Sequence, residues 1–398
     1  MTASTLPLTT RPAWKALEAY HRTLRDVHLR ALFATAPPSA ERFTAEGAGL
    51  YLDSFSPLAI SIDRSGAILL RLLRSRHQPM GNDAQRRFGR DSTTADVLAG
   101  IELRGKVVLV TGASGGLGGE TGRALAEKGA SVTLAARDVA KGQQVADAIR
   151  GAHPDAKVEV MALDLTSPAS IRRFAAEFLA RRPALHVLVN NAGVMACPLA
   201  RTPEGYELQF ATNHLGHFLL TGLLAPALRA GAPARVVSVS SSGHRLSPVV
   251  FDDIHYERRP YDKWQAYGQS KTANVLFAVE LDRRLVSAGV RANALHPGAI
   301  VTDLGRHLSQ EDIAALASRT PGGKGFQWKT IPAGAATAVW AATAPELEDR
   351  GGLYLEDCQV AAPKESEDQL AGYERYAVDP VAARRLWSAS EGMVGETF

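Results

Sequence analysis

Three kinds of side chain near the middle of the chain could together move a proton to or from a substrate oxygen. Tyr267 and Lys271 are four residues apart, so on a helix they share one face, with Cβ atoms about 6 Å apart. A nearby ammonium favours the phenolate and would lower the pKa of Tyr267 from about 10 toward neutrality. Serines at 240–242 lie upstream, and a serine hydroxyl could hydrogen-bond the same oxygen. The arrangement predicts general acid–base catalysis, although a tyrosine and a lysine at this spacing often form only a surface pair.

A glycine-rich segment indicates a second kind of chemistry, the binding of a cofactor that carries phosphates. The apolar run Val107–Val110 leads into TGASGGLG, Thr111 to Gly118, and then into a helical pattern. Glycines let the backbone approach a pyrophosphate, and the N–H groups and positive end of a helix favour an anion. The segment predicts a dinucleotide-binding strand–turn–helix, and the alternative is an ordinary turn between a strand and a helix.

The residues at the ends of the next strands favour NADP over NAD. Ala136 is neutral and Arg137 is basic at the point where an acidic residue would bind the ribose of NAD. Asp138 is expected to cap the following helix. Arg137 could instead be a plain surface charge. Asp164 could accept a hydrogen bond from the adenine amino group, or it could be only a turn residue.

These residues follow a regular alternation of strands and helices that begins near residue 101. Strands are predicted at 107–111, 131–135, 157–161, 186–190, 234–239, 291–295 and 353–355. Helices are predicted at 117–128, 138–151, 167–181, 204–229, 263–287 and 330–344. Right-handed crossovers then give an α/β fold, a Rossmann-type doubly wound parallel sheet of about seven strands with helices on both faces. Ligands of such folds lie beyond the carboxyl ends of the strands.

The first hundred residues have a different character. A helix is predicted at 13–35 and a second one at 68–73. The whole formal net charge of +4 lies in these hundred residues. A basic stretch can bind nucleic acid or an anionic membrane, but no interleaving of aromatic with basic residues suggests base stacking, and a solvated linker is favoured. The predicted organisation is an N-terminal helical extension at 1–75, a basic linker at 76–100 and an NAD(P)-binding domain at 101–398.

Composition limits the location and excludes several kinds of site. The two cysteines, Cys197 and Cys358, have no metal-ligand spacing and form no disulfide framework, which favours a reducing cytoplasm. No secretory signal and no run of about 18 apolar residues is present, so no membrane span is expected.

Residues 101–360 resemble the short-chain dehydrogenase/reductase family. TGASGGLG matches its glycine motif, NNAG (Asn190 to Gly193) its structural motif, and Tyr267 with Lys271 its catalytic pair. Asn213 matches the catalytic asparagine, and the segment His296 to Thr302 matches the one that holds the nicotinamide amide. The resemblance and the patterns above give these cofactor contacts: Thr111, Gly112, Ser114, Gly116, Leu117, Gly118, Arg137, Asp164, Leu165, Asn191, Ala192, Gly193, Pro297, Gly298 and Thr302, with Tyr267 and Lys271.

The resemblance also implies a role for each catalytic residue. Tyr267 protonates or deprotonates the substrate oxygen, and Ser241 polarises it, with Ser240 as the rival assignment. Lys271 binds the nicotinamide ribose and lowers the pKa of Tyr267, and Asn213 holds a water in a proton relay. Hydride passes directly between nicotinamide and carbon, so no metal is expected.

Two finer likenesses concern the substrate side and the N-terminus. NHLGHFLLT (from Asn213), RVVSVSSSGHR (from Arg235) and GGLYLEDC (from Gly351) resemble the retinol-dehydrogenase-like branch, with residues 243–263 as an insertion near the substrate. An N-terminal hydrophobic anchor is missing, so a membrane retinoid substrate is not expected. Residues 12–56 resemble the start of glucose-6-phosphate isomerase, but nothing after residue 100 resembles its catalytic part, so isomerase activity is not expected.

The sequence therefore predicts an oxidoreductase that uses NADP, or less favourably NAD, to interconvert a small-molecule carbonyl and an alcohol. A nucleotide-sensing binding protein without turnover is the alternative on the same fold. The family resemblance implies a homo-oligomer, although the extra hundred residues could cover the surface involved. No nucleic-acid partner is expected.

Overall fold

The structure is a computed structural model that describes residues 59–62, 68–71, 88–312, 328–366 and 369–398. The described residues fall in two units, with the boundary between Ala84 and Gln85.

The described part of the smaller unit is a pair of antiparallel strands. Strands β1 (Ala59–Ile62) and β2 (Ile68–Arg71) pair with Ala59 opposite Arg71. The prediction of a helix at 68–73 is therefore wrong for residues 68–71, which form strand β2. So short an apolar run cannot distinguish a helical period from a strand period, and its pairing partner lies outside the run. The helix expected at 13–35 and the isomerase-like residues 12–56 lie outside the described residues.

The larger unit is built on an eight-stranded sheet in the order β10-β9-β8-β7-β6-β3-β4-β5. Its strands are β3 (Val107–Thr111), β4 (Ser131–Ala136), β5 (Lys157–Ala162), β6 (Val187–Asn190), β7 (Ala234–Val239), β8 (Val290–His296), β9 (Tyr354–Glu356) and β10 (Gln359–Val360). Strands β3 to β9 run parallel, and β10 pairs antiparallel with β9 at one edge. The predicted Rossmann-type doubly wound sheet is confirmed.

Helices connect the strands, and most of them match the prediction. They are α1 (Thr94–Val97), α2 (Gly116–Glu127), α3 (Val139–Ala152), α4 (Pro168–Arg181), α5 (Leu208–Phe210), α6 (Gly216–Ala230), α7 (Lys263–Leu285), α8 (Ile331–Thr343) and α9 (Pro380–Val394). The helix expected at 204–229 begins only at Leu208, and a π-helical turn, Ala211–Leu215, separates α5 from α6. The sequence did not predict α1 or α9.

Alternate strand residues are buried in two hydrophobic cores, one on each face of the sheet. Val108 belongs to the core that contains Leu125 of α2, whereas the adjacent Leu109 belongs to the core that contains Phe174 of α4 and Phe277 of α7. Successive side chains of a strand point to opposite faces. Because helices cover both faces, the central strands β3 and β6 are apolar along most of their length, whereas the edge strand β5 begins with alternating charged and apolar residues.

The described end of the predicted linker, residues 88–100, packs on this larger unit. Val97 and Leu98 are buried in its core. Thr94 of α1 donates a hydrogen bond of 2.6 Å to Glu120 of α2. Within the described residues, no helix has both the length and the apolar character that crossing a bilayer requires.

The order of the strands marks where a ligand would bind. From β3 the chain builds outward through β4 to β5 and then returns to place β6 on the other side of β3. Doubly wound sheets bind ligands beyond the carboxyl ends of their strands, at the point where the strand order reverses. The glycine-rich segment follows β3 and the NNAG corner follows β6, so both lie at this point.

Candidate active site

The turn after β3 is packed so closely that two of its positions accept only glycine. Gly112 has φ +64°, and a Cβ there would lie 2.7 Å from Cα of Ala192. A Cβ at Gly118 would lie 2.5 Å from Nδ2 of Asn191. The turn and the NNAG corner therefore touch through backbone atoms. We call these residues, 112–118 and 190–193, the cofactor corner.

The start of α2 suits an anion. Gly115 is the N-cap, and it makes no side-chain capping hydrogen bond. The first N–H groups of a helix have no partner within the helix and carry the positive end of its dipole. Ser114 and Leu117 are half-buried beside them. A pyrophosphate would fit at this helix end because no capping side chain occupies it.

Two predicted cofactor contacts, Thr111 and Asn191, form hydrogen bonds within the corner itself. The fully buried Thr111 hydroxyl oxygen accepts the backbone N–H groups of Asn191, at 2.9 Å, and Ala192, at 3.0 Å. Asn191 Nδ2 donates back to the Thr111 carbonyl oxygen at 2.8 Å. The Thr111 hydroxyl and the Asn191 Nδ2 group thus fix the shape of the corner.

The strand ends after β4 and β5 hold the groups that would distinguish the adenosine half of a cofactor. Arg137 is exposed and has no hydrogen bond or ion pair among the described residues. Asp138 caps α3 by accepting the N–H of Lys141, as predicted. Asp164 Oδ1 accepts both the N–H and the hydroxyl of Thr166, so one oxygen serves the turn. Its Oδ2 has no hydrogen bond to any residue that the structure describes. Leu165 beside it is buried.

Tyr267 and Lys271 lie in the first half of α7 and are almost completely buried, at 4% and 2% exposure. Lys271 Nζ lies 5.7 Å from the centroid of the Tyr267 ring and donates to the Val239 carbonyl oxygen at 3.0 Å. The two residues are therefore not the surface pair that the spacing alone allows.

Burial displaces both pKa values, and it does so in opposite directions. It raises the pKa of the Tyr267 phenol to about 12, and a hydrogen bond with Ser241 offsets only part of this rise. It lowers the pKa of the Lys271 ammonium to about 8. The expected lowering of the Tyr267 pKa is thus wrong for the protein without cofactor, because loss of hydration outweighs a charge several ångströms from the ring.

The structure separates the two candidate serines. Ser240 is buried, and its hydroxyl donates to the Lys271 carbonyl oxygen at 2.7 Å. Ser241 instead hydrogen-bonds Tyr267, and its oxygen accepts the N–H of Gly243 at 3.0 Å. A Cβ at Gly243 would lie 2.7 Å from the Tyr267 ring. Ser241 is therefore the serine beside the phenol, and Ser240 fastens the backbone of α7.

Asn213 lies in the π-helical turn and clamps the corner to α7. Its Oδ1 accepts the N–H of Val194 at 2.8 Å, and its Nδ2 donates to the Val194 carbonyl oxygen at 3.0 Å and to Ser270 Oγ at 2.9 Å. Both N–H groups of the side-chain amide are thus used. The backbone carbonyl oxygen lies 2.9 Å from His217 Nδ1 and keeps a second lone pair that could accept from a water. π-helical turns are frequent at functional sites.

The loop after β8 contacts the start of α2. A Cβ at Gly116 would lie 3.5 Å from Cγ2 of Thr302. Gly298, next to Pro297, has φ +102°, and a Cβ there would lie 2.7 Å from the Lys329 side chain. The nicotinamide segment expected at His296–Thr302 therefore adjoins the cofactor corner.

Sequence reasoning missed two buried histidines that hold the catalytic residues. His244 Nδ1 lies 2.7 Å from the Ser241 carbonyl oxygen, and its Nε2 accepts the N–H of Glu374 at 3.2 Å. His217 lies between Thr111 and the Asn213 carbonyl oxygen. His217 lies in an apolar stretch and His244 in a serine-rich one, and no local signal distinguishes either from a core residue.

Comparisons with known proteins agree with this geometry. The protein-family model described as short chain dehydrogenase matches residues 106–313. Over 297 residues the chain is 43% identical to short-chain dehydrogenase/reductase prx1 of Penicillium rubens, which covers 73% of this chain and 86% of that protein. Over 299 residues it is 42% identical to retinol dehydrogenase 12 of Homo sapiens, which covers 74% of this chain and 88% of that protein.

A solved structure extends the likeness to three dimensions. The gluconate 5-dehydrogenase from Burkholderia cenocepacia, determined in complex with NADP and tartrate, is 25% identical to this chain with a TM-score of 0.51. The match covers 64% of this chain and 94% of that one.

Proposed function

The chain belongs to the short-chain dehydrogenase/reductase family, and on that premise we propose that it reduces a small-molecule carbonyl to an alcohol with NADPH, with Tyr267 as the proton donor. Members of the family are NAD(P)-dependent oxidoreductases that act on alcohol or carbonyl groups. The choice of NADP, the direction and the residue roles are our proposal.

The observation that carries the proposal is the meeting of the cofactor corner and the catalytic helix at Gly193. A Cβ at this residue would lie 3.6 Å from Lys271 Nζ and 3.1 Å from Oδ1 of Asn213. A flat ring in the corner would therefore lie beside the buried ammonium and the phenol of the same helix. A hydride donor and a proton donor have to be adjacent for carbonyl reduction.

The pKa of Tyr267 is compatible with a role as proton donor. With a pKa near 12 the phenol is protonated at neutral pH and can donate its proton to a carbonyl oxygen. Bound NADPH supplies the hydride that adds to the carbonyl carbon. Ser241 can donate its proton to the same oxygen when a substrate replaces Tyr267 as its partner, since the Ser241 oxygen itself accepts from Gly243. Lys271, with a pKa of about 8, can then return a proton to the phenolate.

The cofactor corner supports binding of a dinucleotide, and Arg137 supports the preference for NADP. The N–H groups at the start of α2 would hold the pyrophosphate. Arg137 has no partner among the described residues and could pair with a 2′-phosphate. Asp164 Oδ2 could accept from the adenine amino group, and Thr302 with Pro297–Gly298 would face the nicotinamide amide. Thr111 and Asn191 would act by shaping the corner.

The test is consumption of NADPH and of NADH, followed by the nicotinamide absorbance, with a panel of aldehydes and ketones. We expect turnover with NADPH and a loss of about 1,000-fold in kcat for Tyr267→Phe. Tyr206→Phe is the matched control, because the Tyr206 hydroxyl donates to the Met393 carbonyl oxygen outside the site. Tight NADPH binding without turnover on any carbonyl would contradict the proposal and support a nucleotide-sensing protein.

The proposal extends to the location, the domain organisation and the assembly of the protein. A cytoplasmic location is proposed because the two cysteines are buried free thiols. The division into an N-terminal extension at 1–75, a linker and a catalytic domain remains our proposal, as do the isomerase likeness of residues 12–56 and a homo-oligomeric state.

A further inference from the structure

His217 connects the cofactor corner to the turn that holds Asn213. It is the second residue of α6 and is 2% exposed. Its Nδ1 lies 2.9 Å from the Asn213 carbonyl oxygen, and its Nε2 lies 2.8 Å from Thr111 Oγ1. One imidazole thus contacts both the residue that begins the glycine-rich turn and the asparagine next to the catalytic helix.

The partners fix where the protons are. A carbonyl oxygen can only accept, so Nδ1 must carry a proton and donate it to Asn213. The Thr111 oxygen already accepts the N–H groups of Asn191 and Ala192, so its own proton has to be donated. Nε2 of His217, at 2.8 Å, is a closer acceptor than the Val189 carbonyl oxygen at 3.4 Å.

The result is a continuous chain of hydrogen bonds across the site. It runs from the backbone N–H groups of the corner to Thr111, from Thr111 to Nε2, and from Nδ1 to the Asn213 carbonyl oxygen. A second proton on the imidazole would turn Nε2 into a donor facing the Thr111 hydroxyl and break the chain. The titratable groups that interact with the ring are Lys271 on α7 and His214 on the preceding helical turn.

We propose that His217 is a positioning residue, whose neutral imidazole with the proton on Nδ1 sets the position of the Asn213 carbonyl relative to the cofactor corner. This inference rests on the proposed function, because the carbonyl matters for catalysis only if protons pass beside it. His217 touches neither substrate nor cofactor in this assignment, and it acts through Thr111 and Asn213. Burial and the nearby Lys271 charge lower the pKa of its imidazole to about 4, which agrees with the neutral form.

A matched control lies three residues away in the same segment. His214 is 1% exposed, and burial lowers the pKa of its imidazole to about 3. Its Nε2 contacts Ser390 of α9 at 2.8 Å rather than a residue of the cofactor corner. A residue that merely fills the core should behave like His214 when it is replaced.

The experiment compares His217→Asn, His217→Gln and His217→Phe with His214→Phe. An asparagine amide can stand where Nδ1 stands and keep the bond to Asn213, whereas a glutamine can reach Thr111 but loses that bond. We expect kcat to fall about 100-fold in His217→Phe and His217→Gln, since a small misplacement in an active site can cost that much. Replacing His217 by Asn keeps the bond to Asn213 but loses the one to Thr111, so it should recover only part of kcat. His214→Phe should lower thermal stability with little change in kcat.

A second measurement does not depend on turnover. In cofactor-free protein with ¹⁵N-labelled histidine, the signal lost in His217→Asn should report a proton on Nδ1. That signal should stay in one neutral form through the ordinary histidine midpoint of pH 6.5. A signal with the proton on Nε2, or one that titrates near that midpoint, would overturn the inference.

The kinetic outcomes separate this inference from the proposed function. If wild-type protein turns over and His217→Phe loses no more kcat than His214→Phe, the positioning role is wrong and the function stands. If wild-type protein does not turn over, the proposed function is wrong and the catalytic part of this inference fails with it. If His217→Phe does not fold, the ratio of kcat between His217→Asn and His217→Gln decides, and equal values contradict the inference.

Discussion

The cofactor corner and the catalytic helix meet at Gly193 but are built in opposite ways. The corner is defined by side chains that are missing, because added Cβ atoms at Gly112 and Gly118 would collide with neighbouring atoms. The catalytic helix is defined by side chains that are present, buried and hydrogen-bonded, such as Tyr267 and Lys271. The corner should therefore be damaged by gaining an atom, and the helix by losing a polar group.

The two regions also differ in the free energy that burying their side chains costs the folded protein. The described corner holds no ionisable side chain, so its geometry needs no buried charge. The catalytic helix buries a lysine whose pKa falls to about 8 and a tyrosine whose pKa rises to about 12. Displaced pKa values are concentrated at functional sites because the protein there tolerates an environment that disfavours the charged form.

Replacing Lys271 by Met should produce the largest effect and tests this difference directly. We expect kcat to fall about 1,000-fold because the ammonium beside Tyr267 is lost. We also expect the cofactor-free protein to become more stable at pH 7. The Lys271 pKa lies about 2.5 below the ordinary value of 10.5, which corresponds to about 3 kcal/mol at about 1.4 kcal/mol per unit. The Val239 carbonyl would still accept a hydrogen bond from Asn274 Nδ2.

The gain in stability of Lys271→Met over the wild type should depend on pH. Below pH 8 the lysine is charged in both states, and the folded protein bears the whole cost of the buried charge. Between pH 8 and 10.5 the folded lysine loses its proton while the unfolded one keeps it, so wild-type stability rises with pH. The advantage of Lys271→Met should shrink across this window in denaturant unfolding. A constant difference, or a less stable variant at pH 7, would show that burial of this charge is not costly.

Replacing Gly118 by Ala should give the next largest effect, from the other region. Its Cβ would lie 2.5 Å from Asn191 Nδ2 and from the Gly112 carbonyl oxygen, so the corner has to open. Overpacking of this kind costs about 1–3 kcal/mol, and we expect the Kd for NADPH to rise about 100-fold, measured by cofactor fluorescence.

Gly119→Ala is the matched control for this change. It adds the same methyl group one residue later in α2, where the nearest atom, Cγ1 of Val145, lies at an ordinary 3.6 Å. Alanine is the better helix former, so stability should stay level or rise by about 0.5–1 kcal/mol. Equal losses of NADPH affinity in the two variants would mean that the corner is not as close-packed as the distances indicate.

The two regions also differ in how much of their structure could be predicted from the sequence. The corner follows from a contiguous pattern, since Val107 to Gly118 is a strand, a turn and a helix in order, and the cap at Asp138 was predicted and is present. The positions of Tyr267 and Lys271 on one helix face were also predicted. Local spacing was enough because each of these features involves residues close in sequence.

The surroundings of the catalytic helix depended on contacts that no local pattern contains. His244 holds the Ser241 backbone and is itself held by Glu374, 130 residues later in the chain. Tyr376 donates to the His244 carbonyl oxygen from the same C-terminal segment. The direction of the Tyr267 pKa shift was wrong for the same reason, because spacing supplies the ammonium but not the degree of burial.

Arg137→Ala should give the smallest effect and tests whether one exposed charge can select the cofactor. Arg137 lies just beyond β4 and is exposed, so removing it should leave the unfolding midpoint unchanged. If its guanidinium pairs with a 2′-phosphate, the Kd for NADPH should rise about tenfold, equivalent to about 1.4 kcal/mol, while the Kd for NADH stays the same. Since the contact would be solvent-exposed, this selectivity should weaken at high salt. Arg104→Ala is the control, because that arginine precedes the amino end of β3, whereas Arg137 follows the carboxyl end of β4, and Arg104 pairs with Glu102. An equal change in both cofactor affinities, or the same change in Arg104→Ala, would mean that selectivity does not arise at the end of β4 and that the corner binds either dinucleotide through its backbone alone.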